Sequence, residues 1–191
     1  MTSAPPARRP SCPSCLRPQS ACICRWVRPV LSSVEVLILQ HPLEVDEAKG
    51  SARLLHLCLP GSRMLTGEVF DPAILLARPL EDRQDILLYP DSPQDKSSGL
   101  LPPPVFDAVR LQKNAKIRLI VLDGTWRKSR KMLYLNPALQ QMPRLSLQNL
   151  PASSYLIRKA HKPGQLSTLE AACAALAQLE ADAQKYQPLL A

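Results

Sequence analysis

Ile117-Arg118-Leu119-Ile120-Val121-Leu122-Asp123-Gly124-Thr125-Trp126-Arg127-Lys128-Ser129-Arg130-Lys131-Met132 is the stretch on which the reading of this chain turns. Residues 117–122 form a short run of β-branched and aliphatic side chains bounded by a turn signal, which reads as a buried strand. Asp123-Gly124 leaves it. Gly124 permits a tight turn and close approach of a ligand, and Thr125 is placed to cap the helix that follows. An acid at the carboxyl end of a buried strand stands where ligands bind in open α/β sheets. The helix then carries Arg127, Lys128, Arg130 and Lys131 on its first turns. A helix start prefers acids, so four bases there point to an anionic partner. A solvated basic face is the plain alternative, with Trp126 as a core aromatic and Asp123 as a cap.

Working outward, Val34 to Gln40 and Asp85 to Tyr89 read as two further strands, the second ended by Pro90. Asp46 to Leu59 has helical spacing and stops at Pro60-Gly61. Asp71 to Ala77 reads as a short helix with Pro72 in its first turn. Residues 91–104 are polar and proline-rich, hence a loop. Arg144 to Leu147 and Tyr155 to Arg158 are short strand candidates. Ser167 to about Tyr186 is the best helix: Ser167 and Glu170 form a capping box, and the interior is rich in Ala and Leu. Strands separated by helices predict an α/β domain with a mostly parallel sheet.

Four thiols, Cys12, Cys15, Cys22 and Cys24, fall within thirteen residues. Closely spaced thiol pairs can wrap one zinc ion, and four thiolates leave no open position for water, so such a site is structural. An iron–sulfur cluster or free thiols are the alternatives. Cys58 and Cys173 sit on apolar helical faces and read as small buried hydrophobes. The division expected is a disordered basic tail at 1–11, a zinc-binding knuckle at 12–30 and one catalytic domain at 31–191.

The net charge is +8, with 24 Lys and Arg against 16 acids, which favours phosphate-bearing or anionic-membrane partners. No apolar run approaches the length of a membrane span, and Met1 to Ser11 lacks the apolar core of a signal peptide. The expectation is therefore cytoplasmic, where clustered cysteines mean metal or thiols rather than disulfides. Arg158, Lys159, His161 and Lys162 form a second basic cluster suited to phosphates, and with 127–131 this favours RNA. A solvated surface is again the plain alternative. His41 and Glu44 follow the first strand and can approach a target base or RNA, or can serve a structural loop. His56 lies mid-helix and reads as packing.

Asp123-Gly124-Thr125-Trp126 resembles the Asp-x-Thr-Trp signature of the DTW-domain family. His41-Pro42-Leu43-Glu44 is similar to the family's His-Pro-x-Glu, Tyr89-Pro90 ends the second strand, and Ser167-Thr168-Leu169-Glu170-Ala171 resembles its Ser-x-x-Glu-Ala. The amino-terminal cysteine cluster is also typical. In this order the motifs span about residues 12–171. The resemblance implies a transferase acting in tRNA modification: a tRNA-uridine aminocarboxypropyltransferase that moves the 3-amino-3-carboxypropyl group of S-adenosylmethionine to N3 of a uridine (acp3U), releasing 5′-methylthioadenosine. It also implies a SPOUT-like fold with a C-terminal trefoil knot. The alternatives are a SPOUT-like RNA methyltransferase and a non-catalytic zinc-knuckle RNA-binding protein.

Under this resemblance Asp123 is the base that takes the N3 proton, its strand-end position suiting a partly desolvated site that would raise its pKa. Thr125 and Trp126 orient cofactor or uracil, by stacking in the case of Trp126; Trp126 filling the core is the equal alternative. Adenosine is expected on the loops after the strands, around Leu88, Tyr89 and Pro90, around Leu122, Asp123, Gly124 and Thr125, and from Tyr155 to Thr168. Thr168, at a helix start, is placed to meet the aminocarboxypropyl carboxylate. A monomer is expected ahead of a homodimer, since the motifs all lie on one chain.

Overall fold

The fold is that of a computed structural model, and the structure describes residues 10–76, 83–90, 103–104, 116–147 and 166–190. Within them, strands β1 (Glu35–Gln40), β2 (Arg63–Thr66), β3 (Arg83–Leu88), β4 (Lys116–Asp123) and β5 (Arg144–Leu145) form one sheet in the order β2-β1-β4-β3-β5. Every adjacent pair is parallel. The two central strands are buried almost throughout, as a parallel sheet covered on both faces requires.

Alternation along the strands divides the core in two. Val36, Ile38, Ile86, Leu119 and Val121 face one side, where α1 (Ala52–Cys58) and α5 (Thr168–Glu180) cover them. Leu37, Leu39, Leu87 and Ile120 face the other, under α2 (Pro72–Leu76), α3 (Trp126–Leu135) and α4 (Pro137–Gln140). Cys58 and Cys173 are buried in the first core, as expected of small hydrophobes.

Several expected elements change length for local reasons. The helix expected over 46–59 occupies only its second half. A turn that closes with Gly50 N–H on the Glu47 carbonyl takes up the first half, directly after a 3-10 turn at Pro42–Glu44. The last helix stops at Glu180, because Ala181 takes the left-handed conformation (φ 54). The chain then folds back and buries Tyr186 in the core, where burial pushes its phenol pKa up. Strand β2 carries no sequence signal of its own: it is short, half-exposed and held by pairing with β1. The strand expected over 155–158, and the 148–165 segment on which a knot would turn, lie outside the described residues.

Charge inside the sheet is compensated locally. Arg118 is buried in β4 and donates to both carboxylate oxygens of its register partner Asp85 (2.9 and 2.6 Å) and to the Leu75 carbonyl.

Candidate active site and metal centre

β1 and β4 are neighbours, and the helices that follow them lie on opposite faces of the sheet: α1 on one, α3 on the other. Their carboxyl ends therefore open a crevice of the kind in which α/β sheets bind ligands. Register places Gln40 directly beside Asp123 at this point.

Asp123 is only 4% exposed. Its Oδ2 accepts from Gln40 Nε2 at 3.0 Å and its Oδ1 from the Thr168 hydroxyl at 2.7 Å. Its carbonyl accepts from His41 N–H at 2.9 Å. The end of β1 and the start of α5 thus converge on one acid. The capping box of α5 fixes the approach of Thr168: Ser167 Oγ accepts from Glu170 N–H, and Glu170 accepts from Ser167 N–H.

After Asp123, Gly124 lies against the first turn of α3. A Cβ there would stand 3.1 Å from Lys128 Cβ and 3.4 Å from Ser129 Oγ. The close approach that needs glycine is made by the protein's own helix. Thr125 caps α3, its hydroxyl accepting from Lys128 N–H at 3.4 Å. Trp126 is 53% exposed, so it is not a core aromatic. Its ring stands edge-on to buried Tyr89, with centroids 6.0 Å apart and planes at 78°. The Arg144 guanidinium lies 5.1 Å from the Tyr89 centroid. Leu88 and Tyr89-Pro90, at the end of β3, thereby reach the crevice that Leu122 to Trp126 open from β4.

His41 and Glu44 are both buried. His41 Nδ1 accepts from Leu43 N–H, so Nε2 carries the ring proton and gives it to Glu68 Oε1 at 2.7 Å. With both ring nitrogens committed, His41 braces the turn beside Asp123. Glu68 also takes Lys131 at 2.6 Å, and this ammonium, followed by His41, holds its pKa down. Glu44 takes Lys128 at 2.8 Å. Among the described residues, Lys128 and Lys131 therefore answer to the chain's own acids, while Arg127 is exposed. Gln40 and Glu68 escaped the sequence reading. Gln40 had a signal: a polar residue in the buried phase of a strand, just before His-Pro. Glu68 follows the strand that had none. Tyr155, Arg158, Lys159, His161 and Lys162 lie outside the described residues.

The four cysteines come together as expected, their sulfurs all within 4.8 Å of one another. Cys12 and Cys24 Sγ are 3.6 Å apart, and Cys15 and Cys22 Sγ 3.7 Å. Backbone N–H groups of Cys15 and Ser14 pull the Cys12 thiol down to about 6. Cys15 is also lowered, the N–H groups of Ile23 and Arg17 outweighing its burial. Hydrogen bonding with Cys12 and then Cys22 pushes Cys24 up to about 12. Four thiols this close cannot all ionise without a cation, and the cluster can hold a metal ion. Pro10 and Ser11 already take part in this knuckle, through Gln19 N–H on the Pro10 carbonyl and a bridge from Ser11 to Pro18. Arg17 docks it on the domain by donating to the Ala48 and Gly50 carbonyls, and Arg53 returns a bond to the Ser14 carbonyl.

Fold and site together define a parallel α/β protein with a crevice at its switch point and a docked four-cysteine knuckle that could hold a metal ion. Comparison narrows that class: residues 9–191 match the DTW domain, and the chain belongs to that family. Three similar proteins each carry the name tRNA-uridine aminocarboxypropyltransferase 2. The one from Mus musculus is 32% identical over 180 residues, 91% of this chain and 57% of its own length. The Macaca fascicularis protein is 29% identical, covering 97% of this chain and 62% of its own length. The Drosophila melanogaster protein is 34% identical, covering 97% and 73%. The chain thus spans about three fifths of the length of the two mammalian relatives. No solved structure matches it.

Proposed function

We propose that this chain transfers the 3-amino-3-carboxypropyl group of S-adenosylmethionine to N3 of a uridine in tRNA. The observation that carries the reading is the clamped Asp123 at the β1–β4 switch point, with exposed Trp126 three residues on. The names of the relatives give the reaction class.

When bound, S-adenosylmethionine supplies a carbon activated by its sulfonium; that carbon–sulfur bond breaks, and the electron pair leaves on 5′-methylthioadenosine. The protein's own task is positioning and proton removal. Asp123 takes the N3 proton, which frees the nitrogen lone pair to form the new bond to carbon. Gln40 and Thr168 hold its two oxygens in place. Trp126 offers an open π-face on which uracil stacks, and Tyr89 sets the angle of that ring. Backbone around Leu88 to Pro90 and Leu122 to Thr125 holds adenosine. Arg127 and Arg130, together with Arg158, Lys159, His161 and Lys162, supply phosphate contacts.

The cysteine cluster is assigned to structural zinc. A tetrahedron with Zn–S bonds of about 2.3 Å has sulfur–sulfur edges of roughly 3.8 Å, which the two shortest pairs approach. The same reading carries a SPOUT-like arrangement with a C-terminal trefoil knot, supported by the all-parallel sheet and by the return of α5 to the end of β4. It places the protein in the cytoplasm as a monomer. No helix among the described residues is long and apolar enough to cross a membrane.

Label transfer tests the chemistry. Label in the carboxyl carbon of S-adenosylmethionine should enter tRNA, and label in its methyl group should not. Entry of the methyl label alone would replace this reading with methyl transfer.

A further inference from the structure

A groove of about 760 Å³ runs along α5 from Ser167 and Glu170 past Cys173 and Ala177 to Leu190, with Arg17 and Trp26 of the knuckle on its opposite wall. Its lining includes Ser167 and Leu169, the residues on either side of Thr168, whose hydroxyl holds Asp123. A second, smaller hollow of about 400 Å³ lies on the knuckle, and Trp26 lines that too.

Trp26 is 51% exposed, though tryptophan is a costly residue to leave in water. The Arg25 guanidinium covers part of its ring, 4.8 Å from the centroid. Around it the charge is one-sided. Arg17, Arg28 and Arg53 donate to backbone carbonyls. Among the described residues no carboxylate forms an ion pair with these three or with Arg25. Four thiolates around a divalent ion carry two negative charges, which four guanidiniums outnumber. Glu170 is the acid on the groove wall, and it is engaged with Ser167 N–H.

An open aromatic face beside uncompensated arginines is the combination that grips single-stranded nucleic acid. We propose that the knuckle is a second tRNA-binding surface: an unpaired base stacks on Trp26, Arg25 and Arg28 take the neighbouring phosphates, and the strand continues into the groove between the knuckle and α5. This rests on the tRNA substrate proposed above. The metal centre then has two tasks, holding the knuckle on α1 and presenting Trp26.

The test is binding of unmodified tRNA transcripts to the zinc-loaded full chain, at several salt concentrations. Trp26→Ala should weaken binding roughly 5- to 100-fold, as loss of one base–aromatic stack does, and Trp26→Phe should restore most of it. Arg25→Gln with Arg28→Gln should flatten the salt dependence by about one unit of slope for each phosphate left unneutralised. Zinc content and thermal midpoint, measured alongside, should match wild type. If Trp26→Ala disturbs either, the arginine pair decides, since both side chains are exposed. Wild-type affinity and salt slope in these variants would overturn the inference and leave Trp26 to packing or to a protein partner. A wild-type chain that binds no tRNA would instead overturn the proposed function.

Discussion

Thr168, the first residue of α5, donates its hydroxyl to Asp123 Oδ1, at the last residue of β4, over 2.7 Å. The two lie 45 positions apart in sequence. Both belong to motifs that looked separate, and the bond makes them one device: the acid is aimed by the start of the last helix.

Thr168→Val removes the donor and keeps the shape. The expected result is a fall in kcat of about 10- to 100-fold, the scale of a catalytic group displaced by a fraction of an ångström, with little change in folding. Thr168→Ser should recover most of the rate. Steady-state kinetics on a tRNA transcript check this, and equal rates for Val and wild type would free Asp123 from Thr168.

Asp123→Asn keeps the volume but removes the proton acceptor. S-adenosylmethionine and tRNA should still bind, while turnover drops by about 10²–10⁴-fold, the usual worth of a general base. Calorimetric titration separates binding from single-turnover chemistry. Full turnover in this variant would reassign the proton to another group or to water.

Metal removal should destabilise the whole chain, because the knuckle is hydrogen-bonded to the turn before α1 and to α1 itself. Elemental analysis should find about one zinc per chain. Chelation should lower the thermal midpoint by roughly 2–4 °C for each kcal/mol of metal binding removed. Cys12→Ser and Cys24→Ser should do the same without chelator. An unchanged midpoint in metal-free protein would make the cluster dispensable for the fold.

Glu180 gives the fold an acid-sensitive clasp. Its carboxylate takes hydrogen bonds from Ser32, Ser33 and Lys185. Burial pushes its pKa up, but the bonds from Lys185 and Ser33 prevail and hold it at about 2, against 4.5 unperturbed. A depressed carboxylate stabilises the fold above its unfolded value and loses that contribution as pH falls through the folded one. Stability should therefore decline between about pH 4.5 and 2, and Glu180→Gln should flatten that limb. Parallel acid-unfolding curves for variant and wild type would count against the clasp.

Much of this was legible in the sequence because local chemistry matched the fold. The strand from 117, the Thr125 cap and the Ser167–Glu170 box each declare themselves within a few residues, and the structure keeps all three. Other features depend on pairings that sequence spacing does not reveal. β2 is an edge strand made by its neighbour. Gln40 matters through a partner 83 positions away. Lys128 and Lys131 pair with Glu44 and Glu68, 84 and 63 positions away. Tyr186 looks like the end of a helix and is a core residue, because Ala181 turns the chain back.

The central claim is the group transferred, and mass spectrometry of both products tests it most directly. The zinc-loaded chain would be incubated with unmodified tRNA and S-adenosylmethionine, then the digested nucleosides and the small molecules analysed together. The account predicts a uridine that has gained an aminocarboxypropyl group and a matching amount of 5′-methylthioadenosine. A methylated nucleoside with S-adenosylhomocysteine, or bound tRNA that stays unmodified, would contradict it.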